Sequence, residues 1–255
     1  MTADAPAQTD LDALADGLPT ITHIRHVAST GSTNADLLAG GVAGEVLVAD
    51  VQTAGRGRRG RTWVAPPGAS LLLSVRLHPA LPLSSWTLLP LVAGTAVITA
   101  ARQLASASTD TWALKWPNDL LADGVKAAGI LVEASGPAVV LGIGLNTDWR
   151  GLDRPAGLVA TSLAEVAGTD VDRWAALAAL LAALDRHVRQ AELDPTGVVQ
   201  RYAADCGTIG MQVIAHGPTT VQGRATGLTI DGHLRIRADD GRDHTVTAGD
   251  VEHLR

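Results

Sequence analysis

Apolar and polar positions follow two different patterns along the chain, and each pattern predicts its own set of elements. Between residues 20 and 206, apolar runs of strand length alternate with longer runs rich in alanine and leucine, which are typical of helices. The predicted strands cover residues 21–27, 46–51, 70–76, 111–117, 125–133 and 138–146. Four helices are predicted: one that begins at Ser32 or Thr33, one from Ser85 to about Ala105, one from Arg173 to about Glu192, and one over residues 196–204. These elements predict one large domain.

The pattern changes after residue 207. Five short alternating runs, broken by glycine and aspartate, follow at the spacing of a small β-barrel. They are residues 211–215, 220–226, 233–237, 243–247 and 251–254. We therefore predict a domain of residues 20–206, a second domain of residues 207–255, and a flexible lead-in of residues 1–19, which are rich in alanine, aspartate and proline.

Composition narrows the class of protein. The chain has 255 residues, a net charge of −6 and one cysteine, Cys206, which excludes an intrachain disulfide and a cysteine-based zinc cluster. The acidic N-terminus lacks the apolar core of a signal peptide. Residues 79–101 carry no charge, but Pro82, Pro90, two serines and several threonines interrupt them, which favours a buried core helix over a membrane span. We therefore expect a cytoplasmic protein.

The first candidate for chemistry is the loop from Gly55 to Arg61, which holds four arginines and three glycines and precedes Thr62 and Trp63. Guanidinium groups and bare backbone N–H groups together bind carboxylates and phosphates. The alternative is a solvated basic loop or a nucleic-acid patch. The net charge of −6 favours a small anionic ligand over a DNA backbone.

Lysine is rare in this chain. Of the 20 basic residues, only Lys115 and Lys126 are lysines. Both lie in unusual local sequences, so these positions are candidates for sites that need a compact ammonium group. The alternative is that two lysines remain on the surface by chance.

Three further stretches indicate a ligand site. The Ser32-Thr33-Asn34 cluster precedes a predicted helix, where capping side chains and free N–H groups can also hold an anion or a carbonyl. Gly142 and Gly144 lie on one face of a predicted strand and open a slot for a flat ligand, or else allow tight helix packing. The loop of residues 147–160 is predicted to be mobile, with Trp149 exposed or folded over a ligand.

Four motifs occur in a fixed order: Gly55–Trp63, Lys115–Asp119, Lys126–Glu133 and Gly142–Asn146. Together they closely resemble biotin–protein ligases, over about residues 25–255. The resemblance implies an α+β fold with a mixed sheet flanked by helices, followed by an SH3-like barrel. It also implies a reaction in which biotin and ATP, with Mg²⁺, form biotinyl-5′-AMP, and a carrier-domain lysine of an acyl-CoA carboxylase then accepts the biotinyl group.

The resemblance also implies roles for individual residues. Lys126 and Arg58 match the catalytic positions, with Lys126 reaching both the biotin carboxylate and the α-phosphate. The biotin site would comprise Ser32, Thr33, Asn34, Gln52, Gly55, Arg56, Gly57, Arg58, Lys126, Gly129, Gly142 and Gly144. The ATP and adenylate site would comprise Arg58, Arg59, Arg61, Trp63, Lys115, Asn118, Asn146 and Trp149. The ligands of Mg²⁺ and the oligomeric state stay open.

This sequence departs from some members of that family at its N-terminus. Those members carry a DNA-binding winged helix of roughly 60 residues, and only about 20 residues precede the first predicted strand here, so we expect no repressor function and no DNA partner. Two alternatives stay open at this point: a lipoate or octanoate ligase or transferase of the same fold, and a nucleic-acid-binding module that uses the arginine-rich loop.

Overall fold

The structure is a computed structural model that describes residues 6–154, 157–217 and 219–254. The helices are α1 (Gln8–Ala15), α2 (Thr33–Gly40), α3 (Leu89–Leu104), α4 (Leu163–Ala167), α5 (Arg173–Leu193) and α6 (Pro195–Ala204). The strands of the large domain are β1 (His23–Thr30), β2 (Glu45–Gln52), β3 (Ser70–Leu77), β4 (Trp112–Lys115), β5 (Asp119–Ala122), β6 (Val125–Ser135) and β7 (Ala138–Asn146). The later strands are β8 (Gln212–His216), β9 (Thr220–Leu228), β10 (Leu234–Ala238), β11 (Asp243–Val246) and β12 (Asp250–His253).

The first seven strands form one mixed sheet in the order β1-β2-β3-β7-β6-β5-β4. Only the β1–β2 pair in this sheet is parallel, and the other neighbours are antiparallel. Alternate residues of β2 and β3, such as Val48 and Leu73, point into the main core with α3 and α5. The opposite face packs against α2 through Leu37, Leu47 and Val140. The predicted α+β class, with a mixed sheet flanked by helices, is confirmed.

The C-terminal strands form a separate antiparallel sheet in the order β11-β10-β9-β8-β12. Residues 205–207, next to the predicted boundary, pair with β4 through Leu114. The buried Trp116 ties the two sheets together: its backbone N–H donates to Thr208 Oγ1 (3.0 Å) and its indole N–H donates to the carbonyl of Gly232 (2.9 Å). The second sheet is therefore fixed to the first by buried hydrogen bonds.

The N-terminal segment differs from the flexible lead-in that composition predicts. Helix α1 packs on β1, Leu11 is only 1% exposed, and Gln8 Nε2 donates to the carbonyl of Ile24 (2.7 Å). Thr20 donates through its backbone N–H and its hydroxyl to Asp185 (both 2.8 Å). A single buried leucine and a few long-range hydrogen bonds order this segment, and a local composition cannot reveal them. Residues 1–5 lie outside the described residues.

The uncharged stretch forms a 3₁₀ turn (Leu83–Leu88) that continues into α3. Over the described ranges, Leu83–Leu104 is the one helix long and apolar enough to cross a membrane, by length and composition only. Most of its apolar window is buried inside the protein, where α3 packs against α5. This agrees with the prediction of a core helix.

Candidate active site

A cavity of about 290 Å³ lies on the α2 face of the first sheet, beneath the arginine-rich loop. Most of the residues singled out from the sequence line it, together with apolar residues such as Val64, Leu131 and Leu158. The predicted site residues in its lining are Ser32, Thr33, Asn34, Gln52, Arg56, Gly57, Arg58, Arg61, Trp63, Asn118, Lys126, Gly129, Gly142, Gly144, Asn146 and Trp149.

One end of the cavity is polar and uncharged. Ser32 caps α2 here: its hydroxyl accepts from the N–H of Ala35, and its carbonyl accepts from the N–H of Asp36. The backbone N–H and hydroxyl of Thr33 both donate to Gln52 Oε1 (2.9 and 3.1 Å), and the Thr33 hydroxyl also bonds Ser74 Oγ (2.7 Å). Because Thr33 engages the Gln52 carbonyl oxygen, the amide nitrogen of Gln52 remains available as a donor toward a ligand.

The floor of the cavity is a glycine surface on β6 and β7, where Gly129 pairs with Gly144. A Cβ atom added at Gly129 or Gly144 would lie 2.6 or 2.4 Å from the ring of Trp63, so the indole rests directly on the backbone. A Cβ atom added at Gly142 would lie 2.2 Å from Asn34 Oδ1 at the start of α2. Trp63 covers two of these three glycines, and packing of the start of α2 explains the third.

The other end of the cavity is cationic. Lys126 Nζ lies 2.7 Å from Asp119 Oδ1 and 5.4 Å from the centroid of the Trp63 ring. Arg58 Nη1 donates to Asn118 Oδ1 (3.1 Å) and to the carbonyl of Gly249 (3.2 Å). Burial lowers the pKa of the Arg58 guanidinium, and the charge of Asp250 opposes that effect.

A charged pair borders the polar end of the cavity, at the start of α2. Arg56 Nη1 lies 3.2 Å from Glu133 Oε1, and the other oxygen of that carboxylate accepts from Asn34 Nδ2 (2.8 Å). Glu133 therefore links the arginine-rich loop to the start of α2. The cavity as a whole offers hydrogen-bond donors at one end and ammonium and guanidinium groups at the other, which suits an elongated ligand with an anionic end.

Three predicted site residues lie outside the cavity lining. Gly55 is buried under the loop, where an added Cβ atom would lie 2.6 Å from the carbonyl oxygen of Trp63. Arg59 has a φ of 56° and donates to the carbonyl of His216 (2.8 Å) on the second sheet. Lys115 is the last residue of β4. The burial of His253 lowers the pKa of that histidine, and the positive charge of Lys115 lowers it further. A ligand role for these three residues stays a prediction.

Trp149 is buried, so the first of the two expectations, an exposed indole, is wrong, while the second, an indole beside the ligand, stays a prediction. It is 1% exposed, it packs against Ala69 and Ala160, and its indole N–H donates to Ser70 Oγ (2.9 Å). The buried hydroxyl of Ser70 supplies the partner that the indole N–H needs. Within the loop of residues 147–160, residues 155–156 lie outside the described residues.

Sequence reasoning missed three polar residues of the site. Ser74 bonds both Thr33 and Asn34, Asp119 holds Lys126, and Glu133 holds Arg56. Asp119 and Glu133 are the last residues of two motifs that the sequence singled out, so their place in those motifs was a usable signal. Ser74 sits in an apolar strand and gave no such signal.

The arginine-rich loop is also attached to the second sheet. Arg61 Nη2 lies 2.6 Å from Asp250 Oδ1, and both side chains are partly exposed (60% and 32%).

We expect Asp250→Asn to raise the rate of limited trypsin cleavage in the arginine-rich loop, without added ligand, by about two- to fivefold, because an exposed ion pair contributes about 0.2–1 kcal/mol. Asp243→Asn is the matched control, since Asp243 pairs with Arg237 in the same sheet and does not touch the loop. Equal cleavage rates in the two variants would contradict the predicted attachment.

Comparisons with known proteins agree with this geometry. The sequence profile of the biotin/lipoate A/B protein ligase family matches residues 27–148, and that of the biotin protein ligase C-terminal domain matches residues 208–254. The chain is 40% identical over 237 residues to the biotin–[acetyl-CoA-carboxylase] ligase of Mycobacterium tuberculosis, which covers 90% of this chain and 88% of that protein. It is 36% identical over 240 residues to the enzyme of the same name from Paracoccus denitrificans, covering 88% of this chain and 98% of that protein.

Solved structures give the same result. The biotin protein ligase of Aquifex aeolicus in complex with biotin and ATP matches with a TM-score of 0.80 and 28% identity, over 91% of this chain and 98% of that chain. The biotin protein ligase of Leishmania major in complex with biotinyl-5-AMP matches with a TM-score of 0.60 and 25% identity, over 88% of this chain and 98% of that chain.

Proposed function

The chain belongs to the biotin protein ligase family, and we propose that the cavity beneath its arginine-rich loop performs both steps of biotin ligation. The protein is an ATP-dependent ligase that attaches biotin to its carboxylase substrate. The observation that carries the proposal for the site is that four sequence motifs, separated along the chain, converge on one cavity with an uncharged polar end and a cationic end.

In the proposed binding mode, the ureido ring of biotin lies at the uncharged end. Thr33 and the amide nitrogen of Gln52 offer hydrogen bonds there, and Trp63 and Leu131 supply apolar contacts for the rest of the ring system and the valeryl chain. The carboxylate of biotin would then point toward Lys126.

Adenylation brings two anions together, since the biotin carboxylate attacks the α-phosphorus of ATP and pyrophosphate leaves. At about 4 Å and an effective dielectric constant of 20, each unit-charge contact is worth roughly 4 kcal/mol. Lys126, which Asp119 holds in place, can bridge the attacking carboxylate and an α-phosphate oxygen, and Arg58 and Arg61 add positive charge around the phosphates. The arginine-rich loop would exclude water from the reactive anhydride.

We propose that Mg²⁺ arrives as the complex with ATP. Over the part of the chain that the structure describes, no group of three or more His, Cys, Asp or Glu residues could hold a metal ion. Asp119 and Glu133 are engaged by Lys126 and Arg56, so the phosphates and water would supply most of the ligands of the ion. Such a complex neutralises charge on the leaving pyrophosphate.

The acceptor in this proposal is a lysine of a biotin carboxyl carrier domain, and the reaction takes place in the cytoplasm. The names of the relatives indicate acetyl-CoA carboxylase as the enzyme that is modified. We also propose that DNA is not a partner, because the net charge of −6 opposes attraction to a phosphate backbone. The comparisons do not favour the lipoate and nucleic-acid alternatives.

The decisive experiment is biotin-dependent exchange of labelled pyrophosphate into ATP by the purified protein, with biotin, lipoate or octanoate as the acid. The expected result is exchange with biotin as the acid and none with lipoate or octanoate. An excess of lipoate should not reduce the exchange that biotin supports. Exchange that depends on lipoate and not on biotin would overturn the proposal.

We expect Gly142→Ala to weaken biotin binding by about 1–3 kcal/mol, the usual cost of an additional buried methyl group without space. The new methyl group would displace Asn34, which donates to Glu133 and accepts from Ser74 Oγ at 2.5 Å. Isothermal titration with biotin measures the change. Gly40→Ala, at the end of the same helix with nothing within 4 Å of the added atom, is the control and should bind as the wild type does. Unchanged affinity in Gly142→Ala would contradict a tight packing of Asn34 on this glycine.

A further inference from the structure

A second cavity of about 190 Å³ lies between the large domain and the C-terminal sheet. It shares Arg58, Asn118, Ile130 and Leu131 with the first cavity, and the hydrogen bond between Arg58 and Asn118 (3.1 Å) forms part of the wall between the two spaces. Its lining also includes two residues that are exposed to solvent, Thr87 before α3 and Thr247 in the bend after β11. The second cavity therefore reaches the protein surface and also borders Arg58.

Its chemistry differs from that of the first cavity. Pro90, Leu91, Trp116 and Val132 give it apolar walls, and Arg58 is the one arginine or lysine among its described lining residues. A pyrophosphate or triphosphate would need several cations, so the second cavity does not suit a phosphate. An unbranched alkyl amine suits it better, because the walls can cover its methylene groups.

The charge of Arg58 also selects the form of such an amine. A protonated amine would be repelled by the guanidinium and would lose hydration between apolar walls. A neutral amine has neither cost. The neutral form is the nucleophile that an acyl adenylate requires.

We propose that the second cavity is the subsite for the side chain of the acceptor lysine, which approaches the acyl adenylate from the side of Arg58 and Asn118. The inference rests on the proposed function. In the transfer step, the neutral amine nitrogen attacks the biotinyl carbonyl carbon and a C–N bond forms. The bond from that carbon to the phosphate oxygen breaks, AMP leaves with the electron pair, and the nitrogen gives one proton to water.

The test places a removable obstacle in the second cavity. Thr247→Cys is modified with alkyl methanethiosulfonates of increasing length, and dithiothreitol then removes the group from the same folded protein. The native Cys206 interferes little, since it is buried and its burial raises the pKa of its thiol. Thr245→Cys is the matched control, because Thr245 is exposed on the same sheet and lies outside the cavity lining.

Two acceptors are compared in single turnovers of preformed enzyme-bound biotinyl-AMP: the carrier domain and Nα-acetyl-lysine methylamide. We expect the longer groups on Thr247→Cys to slow transfer to both acceptors by at least about tenfold. Dithiothreitol should restore both rates. Biotin-dependent pyrophosphate exchange should stay within about twofold, as should every rate of modified Thr245→Cys.

Several outcomes would overturn the proposal. Unchanged transfer with the longest group would exclude the second cavity as the route. Slower transfer to the carrier with an unchanged rate for the small amine would assign the effect to docking at the surface and reject the subsite. The absence of exchange in the unmodified enzyme would overturn the proposed function and the subsite together, whereas intact exchange with unblocked transfer would overturn the subsite alone.

Discussion

Replacing Lys126 with arginine is expected to reduce biotin-dependent pyrophosphate exchange by at least about tenfold, equivalent to about 1.4 kcal/mol in the activation barrier. The ammonium lies 2.7 Å from Asp119 and stands over the ring of Trp63. The lysine also passes close to the backbone, since a Cβ atom added at Gly129 would lie 3.2 Å from its Cε and Nζ atoms. A wide, planar guanidinium cannot occupy this position and bridge two oxygens from one point.

The second lysine of the chain provides the control for this experiment. Lys115→Arg changes the same residue type in the preceding motif, but Lys115 lies outside the cavity lining. We expect a smaller loss of exchange in this variant than in Lys126→Arg, and thermal unfolding of both variants checks that the fold is intact. Wild-type exchange by Lys126→Arg would refute the bridging role.

The sequence predicted the local elements well because their causes are local. Two-residue and helical periods located the strands and helices, and the Asp123-Gly124 pair predicted a hairpin turn that the structure contains, with both residues at positive φ. Asp172 caps α5 as expected, accepting from the N–H of Ala175 at 2.7 Å. Such features depend on a few adjacent residues.

Long-range contacts explain what the sequence could not predict. Arg59 bonds a carbonyl 157 positions away, and Arg61 pairs with a carboxylate 189 positions away, so the attachment of the loop to the second sheet has no local signature. Ser74 contributes to the site only because β3 turns this residue toward α2. The motifs indicated which segments form the site. The hydrogen-bond and ion-pair partners of each side chain depend on the tertiary structure and could not be predicted from the motifs.

Arg58 connects these long-range contacts to the chemistry, and we expect it to retain the intermediate more than to form it. Its side chain separates the two cavities and bonds Asn118 and the carbonyl of Gly249. Removing a charge-assisted contact to the adenylate should cost roughly 1.5–3 kcal/mol, mostly as faster escape. Lys126 and the other loop arginines remain, so synthesis of the anhydride should persist in part.

Arg58→Gly is therefore expected to release biotinyl-AMP, which acylates accessible lysines, and to biotinylate bystander proteins that the wild type leaves unmodified. Loss of the side chain would also join the two cavities, and an additional glycine beside Gly57 would loosen the loop. The measurement is a biotin blot of albumin incubated with enzyme, biotin and ATP. Arg59→Gly is the matched comparison, and we expect it to label albumin less than Arg58→Gly, because Arg59 donates to the C-terminal sheet and its positive φ accepts glycine without strain. If Arg58→Gly still consumes biotin and ATP but leaves albumin unlabelled, Arg58 does not retain the intermediate.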